Sequence, residues 1–523
     1  MLEYYRLFEY LCHLEIKYKI LYMKKLKLLS CLVVAIFGLI SCNKNESYSV
    51  TFPQTGFYFK WGGIAQTISY SKHNITSVEV ASVSDGWSCV VNAAANTLTI
   101  TPPEDPNDDE KREEMRTGTA NISTISEKGN TATYVLTFHI IENDEVNLNG
   151  NGEYANCYVV STPYALYTFD AKVAGSGSKR IDTASVELLW QSRSGMIQHL
   201  SLDDDGKAAF FIDRLTDDDG YVMEDGKYVI PHGNAVIAAR NSAGEIIWSW
   251  HIWSIRESEN PLTAYDTYSN GKSYMNKNLG AFGNSNGEID DTDDILASYG
   301  LYYQWGRKDP FGRPYYYDCA DNYDERIYGS SGSTVYIRFE ETSAEVGTVE
   351  YAVANPMTFI TNAACVTDDG DGIGDWLNTS DNSLWSDTAK SDYDPCPFGW
   401  RVPSKTDFDV LSLSAEEDAK DLDTARKQFG WSLSDGLNNY FYTGAGYRSY
   451  YNGVITNMNH KDGVYPSVPE PWEGYYWTTG RSDDGRQSTC MYFDLTTTRT
   501  VNKFNLNYPS KRANAMQIRC VKM

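Results

Sequence analysis

Two kinds of residue cluster in this sequence have types and spacing suited to chemistry: a string of carboxylates and a crowd of aromatic rings. Asp368-Asp369-Gly370-Asp371-Gly372-Ile373-Gly374-Asp375 alternates oxygen ligands with glycines, and clustered carboxylates are what a hard cation such as calcium requires. Asp369, Asp371 and Asp375 are the side chains such an ion would take, which makes calcium the one candidate cofactor. The helix-loop-helix calcium template nevertheless fails, because its first ligand falls on Thr367 and its twelfth on Asn378 in place of Glu. A polar loop leading into Trp376 is the plainer reading. Aromatic residues make up 14% of the chain, with 39 tyrosines. Many lie in Gly-rich stretches near the C-terminus, at Tyr447, Tyr450, Tyr451, Trp472 and Tyr475, with Arg481 close behind. Exposed rings stack on the C–H faces of sugars while polar tips and neighbouring Asn, Glu and Arg bond hydroxyls. Rigid Tyr-rich loops suit protein partners equally well, and aromatic packing in a strand-poor core is the third reading.

Catalysis is not advertised. No G-x-S-x-G elbow, H-E-x-x-H pair or phosphate-binding loop occurs. Two carboxylates at a set distance would suffice for a glycosidase, and 70 acidic residues always contain such pairs, but nothing singles one out; a non-enzyme is expected. The net charge of −25 and a pI near 4.7 argue against a nucleic-acid partner, which needs a basic face.

The N-terminal residues carry a different signal. From Met23 the chain runs through Lys24, Lys25 and Lys27, an apolar stretch from Leu28 to Ile40, and small residues closing on Cys42. That order is a secretory signal, and its apolar core is shorter than the roughly 20 residues that span a hydrocarbon layer. Leu39-Ile40-Ser41-Cys42 resembles the bacterial lipobox, which implies that the Cys42 thiol is alkylated with diacylglycerol and becomes residue one. Residues 1–22 fit neither a signal peptide nor a domain and read as a start placed too early; the mature chain would hold about 480 residues, enough for several cores. The expected location is the outer membrane, facing the cell exterior. Asn43-Lys44-Asn45-Glu46 lacks the strongly acidic run of a surface-export signal, so a periplasm-facing anchor stays open.

The elements that must position these residues are mainly strands. Residues 43–143 alternate apolar and polar positions in short runs such as 96–101 and 134–141, with Gly, Pro, Asn and Asp between them, the pattern of a small β-sandwich. Asp85-Gly86-Trp87, Leu98-Thr99-Ile100 and 116–122 resemble the BACON family of immunoglobulin-like modules, which implies either carbohydrate or mucin binding or a spacer role. A second β-rich segment, 144–260, has strand patterns at 155–160, 185–190, 208–212 and 235–239. Its turns, Asp203-Asp204-Asp205-Gly206 and Asp217-Asp218-Asp219-Gly220, read as hairpin turns before they read as cation sites. It closes on 246–253, where Trp248, Trp250 and Ile252 share one face and Ile247, Ser249, His251 and Trp253 the other. Both faces are expected to be covered.

Residues 261–523 differ in texture, being Gly- and aromatic-rich with a polar helical pattern over 404–429. Pro403 biases Val402 to extended geometry, and Ser404 with Asp407 makes an acidic capping box, so a helix is expected to start there. Five motifs recur in order: Leu279-Gly280-Ala281; Gly300-Leu301-Tyr302-Tyr303-Gln304-Trp305-Gly306-Arg307; Asp394-Pro395-Cys396-Pro397-Phe398-Gly399-Trp400-Arg401-Val402-Pro403-Ser404; Tyr476-Trp477-Thr478-Thr479; and Ala515-Met516-Gln517-Ile518-Arg519-Cys520-Val521-Lys522. Together they resemble the Fibrobacter succinogenes major paralogous (FISUMP) domain of Bacteroidota lipoproteins. The resemblance implies a C-type lectin-like fold, with paired termini and long loops carrying a ligand site, and makes Trp400 and Trp477 framework residues. It also implies a disulfide between Cys396 and Cys520, against the alternative of two separate buried thiols. Seven cysteines follow Cys42, an odd count that leaves at least one thiol free.

The expected fold is therefore mostly β and multidomain: two immunoglobulin-like β-sandwiches followed by an α+β C-type lectin-like domain. The expected function is a membrane-anchored, non-catalytic binding or adhesion module for glycans or glycoproteins. An accessory or tip subunit of a fimbria-like surface assembly is the alternative, and a glycan hydrolase stands third.

Overall fold

The computed structural model describes residues 47–141, 145–217, 220–284, 292–318, 322–365, 374–413, 429–459, 470–483, 485–495 and 504–523. The architecture is mostly β. Cys42, Asp369 and Asp371 lie outside the described residues, as does most of the expected 404–429 helix.

The first sandwich packs a four-stranded sheet, in the order Gly56–Phe59, Thr131–Ile140, Thr117–Ser126, Ile75–Val83, on a three-stranded sheet of Gln66–Ser69, Thr97–Thr101 and Ser88–Asn92. Alternation decides what is buried: Ala120, Ile122, Leu136, Phe138 and Ile140 from one sheet meet Leu98 and Ile100 from the other. Trp87 fills the end of this core. Its ring lies 5.1 Å from Phe138 and 5.5 Å from Phe59, and its indole N–H donates to the Met115 carbonyl at 2.9 Å.

The second sandwich opposes a four-stranded sheet, built around Ala165–Asp170 and Lys207–Ile212, to a six-stranded one containing Cys157–Val160, Ile246–Ser254, Gly233–Arg240 and Ser185–Gln191. The turn at Asp203-Asp204-Asp205-Gly206 joins Gln198–Leu202 to Lys207–Ile212 as a hairpin, with the Gly206 N–H donating to the Asp203 carbonyl at 3.0 Å and Gly206 at φ +86°. Asp217 and Gly220 pair across the next turn. The strand Ile246–Ser254 is buried on both faces. Trp248, Trp250 and Ile252 enter the core between the two sheets, whereas Trp253 enters a second core on the opposite side.

That second core belongs jointly to residues 145–260 and to the C-terminal residues. Cys157, Trp190, Val236 and Trp253 pack there with Leu279, Trp305, Trp376, Trp400 and Trp477. The six-stranded sheet is even completed by the hairpin Ile327–Tyr328 and Thr334–Val335, through Gln191 paired with Tyr328. The expected division at residue 260 thus falls within continuous packing.

In the C-terminal residues the strand Ser273–Met275 pairs with Val521–Lys522, which pairs in turn with Trp400–Arg401. Cys396 and Cys520 are joined by a disulfide, with Cα atoms 6.1 Å apart. Cys89, Cys157, Cys365 and Cys490 are free thiols; burial pushes the Cys89 thiol up to about 11. Among the described residues no helix starts at Ser404: residues 404–413 form turns and the two-residue strand Ser412–Leu413. The Ser404 N–H does donate to the Asp407 carboxylate at 2.6 Å, as a capping box requires. Asp407 also accepts from Arg401 at 2.8 Å and from Lys272, and its backbone carbonyl takes the Tyr274 hydroxyl at 2.5 Å and the Asn270 amide at 3.2 Å. Long-range partners hold the carbonyl and carboxylate that would have opened the helix.

Candidate functional site

The strand Glu473–Arg481 organises the aromatic residues. Because side chains alternate along it, Glu473 and Tyr475 project to one side, where the neighbouring strand sets Tyr492 opposite Tyr475. The Tyr475 hydroxyl donates to Glu473 Oε2 at 2.6 Å and the Tyr492 hydroxyl to Oε1 at 2.8 Å, and the Asn457 side-chain amide donates to the same carboxylate. Around them the rings make a continuous cluster: Tyr447 is edge-on to Tyr475 at 5.0 Å, Tyr475 to Tyr492 is 5.1 Å, and Tyr508 stacks on Tyr492 at 4.5 Å.

Burial raises the Glu473 carboxyl above its ordinary value, against the lowering effect of the two phenol donors. Burial, with the Glu473 charge behind it, pushes Tyr447 up to about 12. A carboxylate saturated by two phenols and an amide is a fixed acceptor, and it holds the rings in one arrangement.

The residues expected at the site divide into four groups. Tyr447, Tyr450 and the unexpected Tyr508 are half-buried around this cluster, and Lys511 Nζ lies 4.2 Å from the centre of the Tyr450 ring. Trp472, 41% exposed, follows Asn457 in space through the Trp472 N–H to Asn457 carbonyl bond of 2.8 Å; Tyr451, 58% exposed, stands in the turn at the other end of the same hairpin. Tyr475 is 6% exposed, which corrects its expected role: it cannot offer a ring face to a ligand and instead anchors Glu473. Arg481 is not part of the cluster. It occupies the far end of the strand, about 20 Å from Tyr475 at the rise of an extended chain, and bonds the Asn382 carbonyl at 3.0 Å.

Asp375 is likewise redirected. It is 2% exposed, and its carboxylate accepts from the Leu377 N–H at 3.0 Å and the Ser380 hydroxyl at 2.7 Å, with the Arg512 guanidinium at 3.4 Å. A protein cation already faces it, so it serves as an internal anchor. No group of three or more His, Cys, Asp or Glu side chains placed to hold a metal ion occurs among the described residues.

Glu473, Asn457, Tyr492 and Tyr508 escaped sequence reasoning. Glu473 had a signal in its two-residue spacing from Tyr475; the others are brought in by strand register, which the sequence does not print.

Comparison with protein-family models finds no match, and comparison with curated proteins finds none either. Among solved structures, human mucin-like protocadherin EC1-2 is 9% identical, covering 40% of this chain and 98% of that one at a TM-score of 0.15. The tandem Ig repeats of Dlar are 10% identical over 40% of this chain and 98% of that one, at 0.14. SGBP-B of the Bacteroides ovatus mixed-linkage glucan utilization locus, in complex with a mixed-linkage heptasaccharide, is 13% identical over 41% of this chain and 46% of that one, at 0.11. At such TM-scores none of the three carries weight for topology or function.

Proposed function

We propose that this chain is an extracytoplasmic lipoprotein, tethered to the outer membrane through a lipid on Cys42, that binds glycans or glycoproteins without catalysis through a C-terminal lectin-like domain of the FISUMP type. The observation that carries the reading is the tyrosine patch: half-buried Tyr447 and Tyr508 packed on Tyr475 and Tyr492, whose hydroxyls a saturated Glu473 holds, with half-buried Tyr450 and the exposed Trp472 in the same strands and turns. Rigid rings with polar tips bind sugar faces at low entropic cost. The pairing of Ser273–Met275 with Val521–Lys522 and the Cys396–Cys520 disulfide accord with a lectin-like arrangement of the termini. The BACON-like first sandwich would then serve as a spacer or an additional binding unit.

A glycan array probed with residues 43–523 tests this, with and without calcium, beside a Tyr450→Ala, Trp472→Ala double variant. The expected result is reproducible binding that the double variant loses by at least tenfold. A silent array with a folded sample overturns the glycan reading and leaves a protein ligand, as in a fimbria-like assembly. Detergent phase partitioning of wild type and Cys42→Ala tests the anchor: only the wild type should enter the detergent phase.

A further inference from the structure

The strand Arg338–Glu341 runs parallel to Thr358–Thr361 in a two-stranded sheet, and among the described residues nothing pairs with its other edge. The Arg338 N–H donates to the Met357 carbonyl at 2.9 Å and the Thr342 N–H to the Thr361 carbonyl at 2.8 Å. Even-numbered residues therefore bond the neighbouring strand, while Ile337, Phe339 and Glu341 turn their N–H and C=O groups outward. An edge of this kind is a template for one more strand unless something blunts it. Neither proline nor glycine interrupts Tyr336-Ile337-Arg338-Phe339-Glu340-Glu341.

The side chains along this edge say which strand fits. Phe339 is 49% exposed, with its ring against Gly453 and 6.2 Å from the Phe359 ring; Tyr451 and Val454, in the turn around Gly453, are exposed as well. Arg338 is exposed and forms no salt bridge among the described residues. Glu340, on the same face two positions on, accepts the Tyr351 hydroxyl at 2.7 Å and has no cation beside it. Antiparallel pairing with the same edge of a second copy, about a two-fold axis at Phe339, sets Phe339 opposite Phe339 and Arg338 opposite the second copy's Glu340, twice over. Ile337 then faces Glu341, so each outward N–H and C=O of 337–341 gains a partner. Cross-strand aromatic pairs and opposite-charge pairs both stabilise a sheet, and the two-fold closes the assembly at two copies.

We infer that the edge 337–341 is a dimerisation surface whose partner is a second copy of this chain, paired antiparallel about Phe339. An edge this short buries less than the roughly 1,200 Å² of a standard interface, so the dimer is weak and reversible. The charge of −25 on each copy opposes contact. At physiological salt the Debye length is about 8 Å, which screens that general repulsion and leaves charges in contact effective. The inference stands whether or not the tyrosine patch binds a glycan.

Sedimentation velocity on residues 43–523, which contain every described residue, tests it from micromolar to submillimolar concentration at physiological salt. The wild type should pass from monomer to dimer over that range. Arg338→Glu and Glu340→Lys should each weaken the dimer at least tenfold, because each sets like charges opposite one another. Mixed in equal amounts, the two variants should associate within threefold of the wild type, since the mixed dimer restores both opposite-charge pairs; that recovery also shows both variants to be folded. Phe339→Pro removes an outward N–H that the strand's own ladder does not use, so it should abolish the dimer and leave the circular dichroism unchanged. A wild type that stays monomeric overturns the proposal and leaves the edge to a strand of another protein. Dimers that persist within twofold in both charge variants overturn it as well, and so does a mixture that associates no better than its components.

Discussion

The second sandwich meets a neighbour at each end, and the two junctions are built on different principles. Toward the C-terminus it shares a core: Trp253 and Trp190 pack with Trp305, Trp376 and Trp400, and the buried Asn156 amide donates to the Asp392 and Asp394 carbonyls at 2.8 and 2.9 Å while its oxygen accepts from the Trp248 indole at 3.0 Å. Toward the N-terminus the contact is a small patch of Tyr58, Ile141, Tyr164, Leu166 and Phe211, centred on His139 and His199, whose Nε2 atoms lie 3.2 Å apart. A junction made of core cannot open without unfolding its neighbours. One made of a few rings, two imidazoles and the Arg214–Glu113 ion pair can separate with each partner intact. The first sandwich is thus a detachable unit, and the remaining residues act as one body.

The largest effect that would break this contrast is Trp253→Ala. Trp253 is fully buried, and its indole donates to the Ala281 carbonyl at 3.0 Å. Its loss should cost about 3–5 kcal/mol and lower a single calorimetric transition that includes both 145–260 and 261–523. Leu98→Ala in the first sandwich should cost about 2–5 kcal/mol and move only that module's transition. If Trp253→Ala leaves one of the two C-terminal segments melting at its original temperature, the shared core is not a cooperative unit. Next in size, Cys396→Ala with Cys520→Ala removes a cross-link between residues 124 apart and should cost about 2–4 kcal/mol. Cys157 bridges to Pro397 beside that disulfide, so the loss should again appear in both segments and spare the first sandwich in urea unfolding.

How much of this could be read beforehand depends on the range of the interactions. The strand 246–254 and the coverage of both its faces follow from alternation alone, as does the shared side of Glu473 and Tyr475. What covers the Trp253 face does not, because it arrives from a core with members as far along the chain as Cys520. The turns over 404–411, where a helix start was expected, have the same cause: the local pattern was sound, but Lys272, Tyr274 and Asn270, more than 130 positions earlier, took Asp407's oxygens. The three misjudged side chains, Tyr475, Arg481 and Asp375, were assigned by type in loops; strand register decided the first two and Arg512 the third. The lipid anchor was read entirely from residues outside the described ones.

The smallest predicted effect sharpens the contrast at the detachable junction. His139 stacks on Phe211 at 4.5 Å and near Tyr58 at 5.6 Å, and burial, with His199 opposite, holds it down to about 3; burial lowers His199 as well. The charged groups of the junction pair with one another, Arg214 with Glu113 and Asp213 and Arg116 with Glu113. Released imidazoles take up protons near 6.5, whereas the docked ones do not, so the open state binds more protons below that pH. Docking is therefore at full strength above the ordinary histidine range and weakens as the pH falls through it toward 3. Between pH 7 and 5 His139, kept neutral, contributes a loss of about 2 kcal/mol. Hydrogen exchange across 117–140 and 199–212 should accelerate over that interval in the wild type and less steeply in His139→Phe. Phe keeps the stacking and removes one titrating group, together with the buried, unpartnered Nδ1. Equal pH slopes in the two proteins would show that the imidazoles do not control the junction, and equal acceleration across 145–260 and 261–523 would show that the first sandwich does not detach alone.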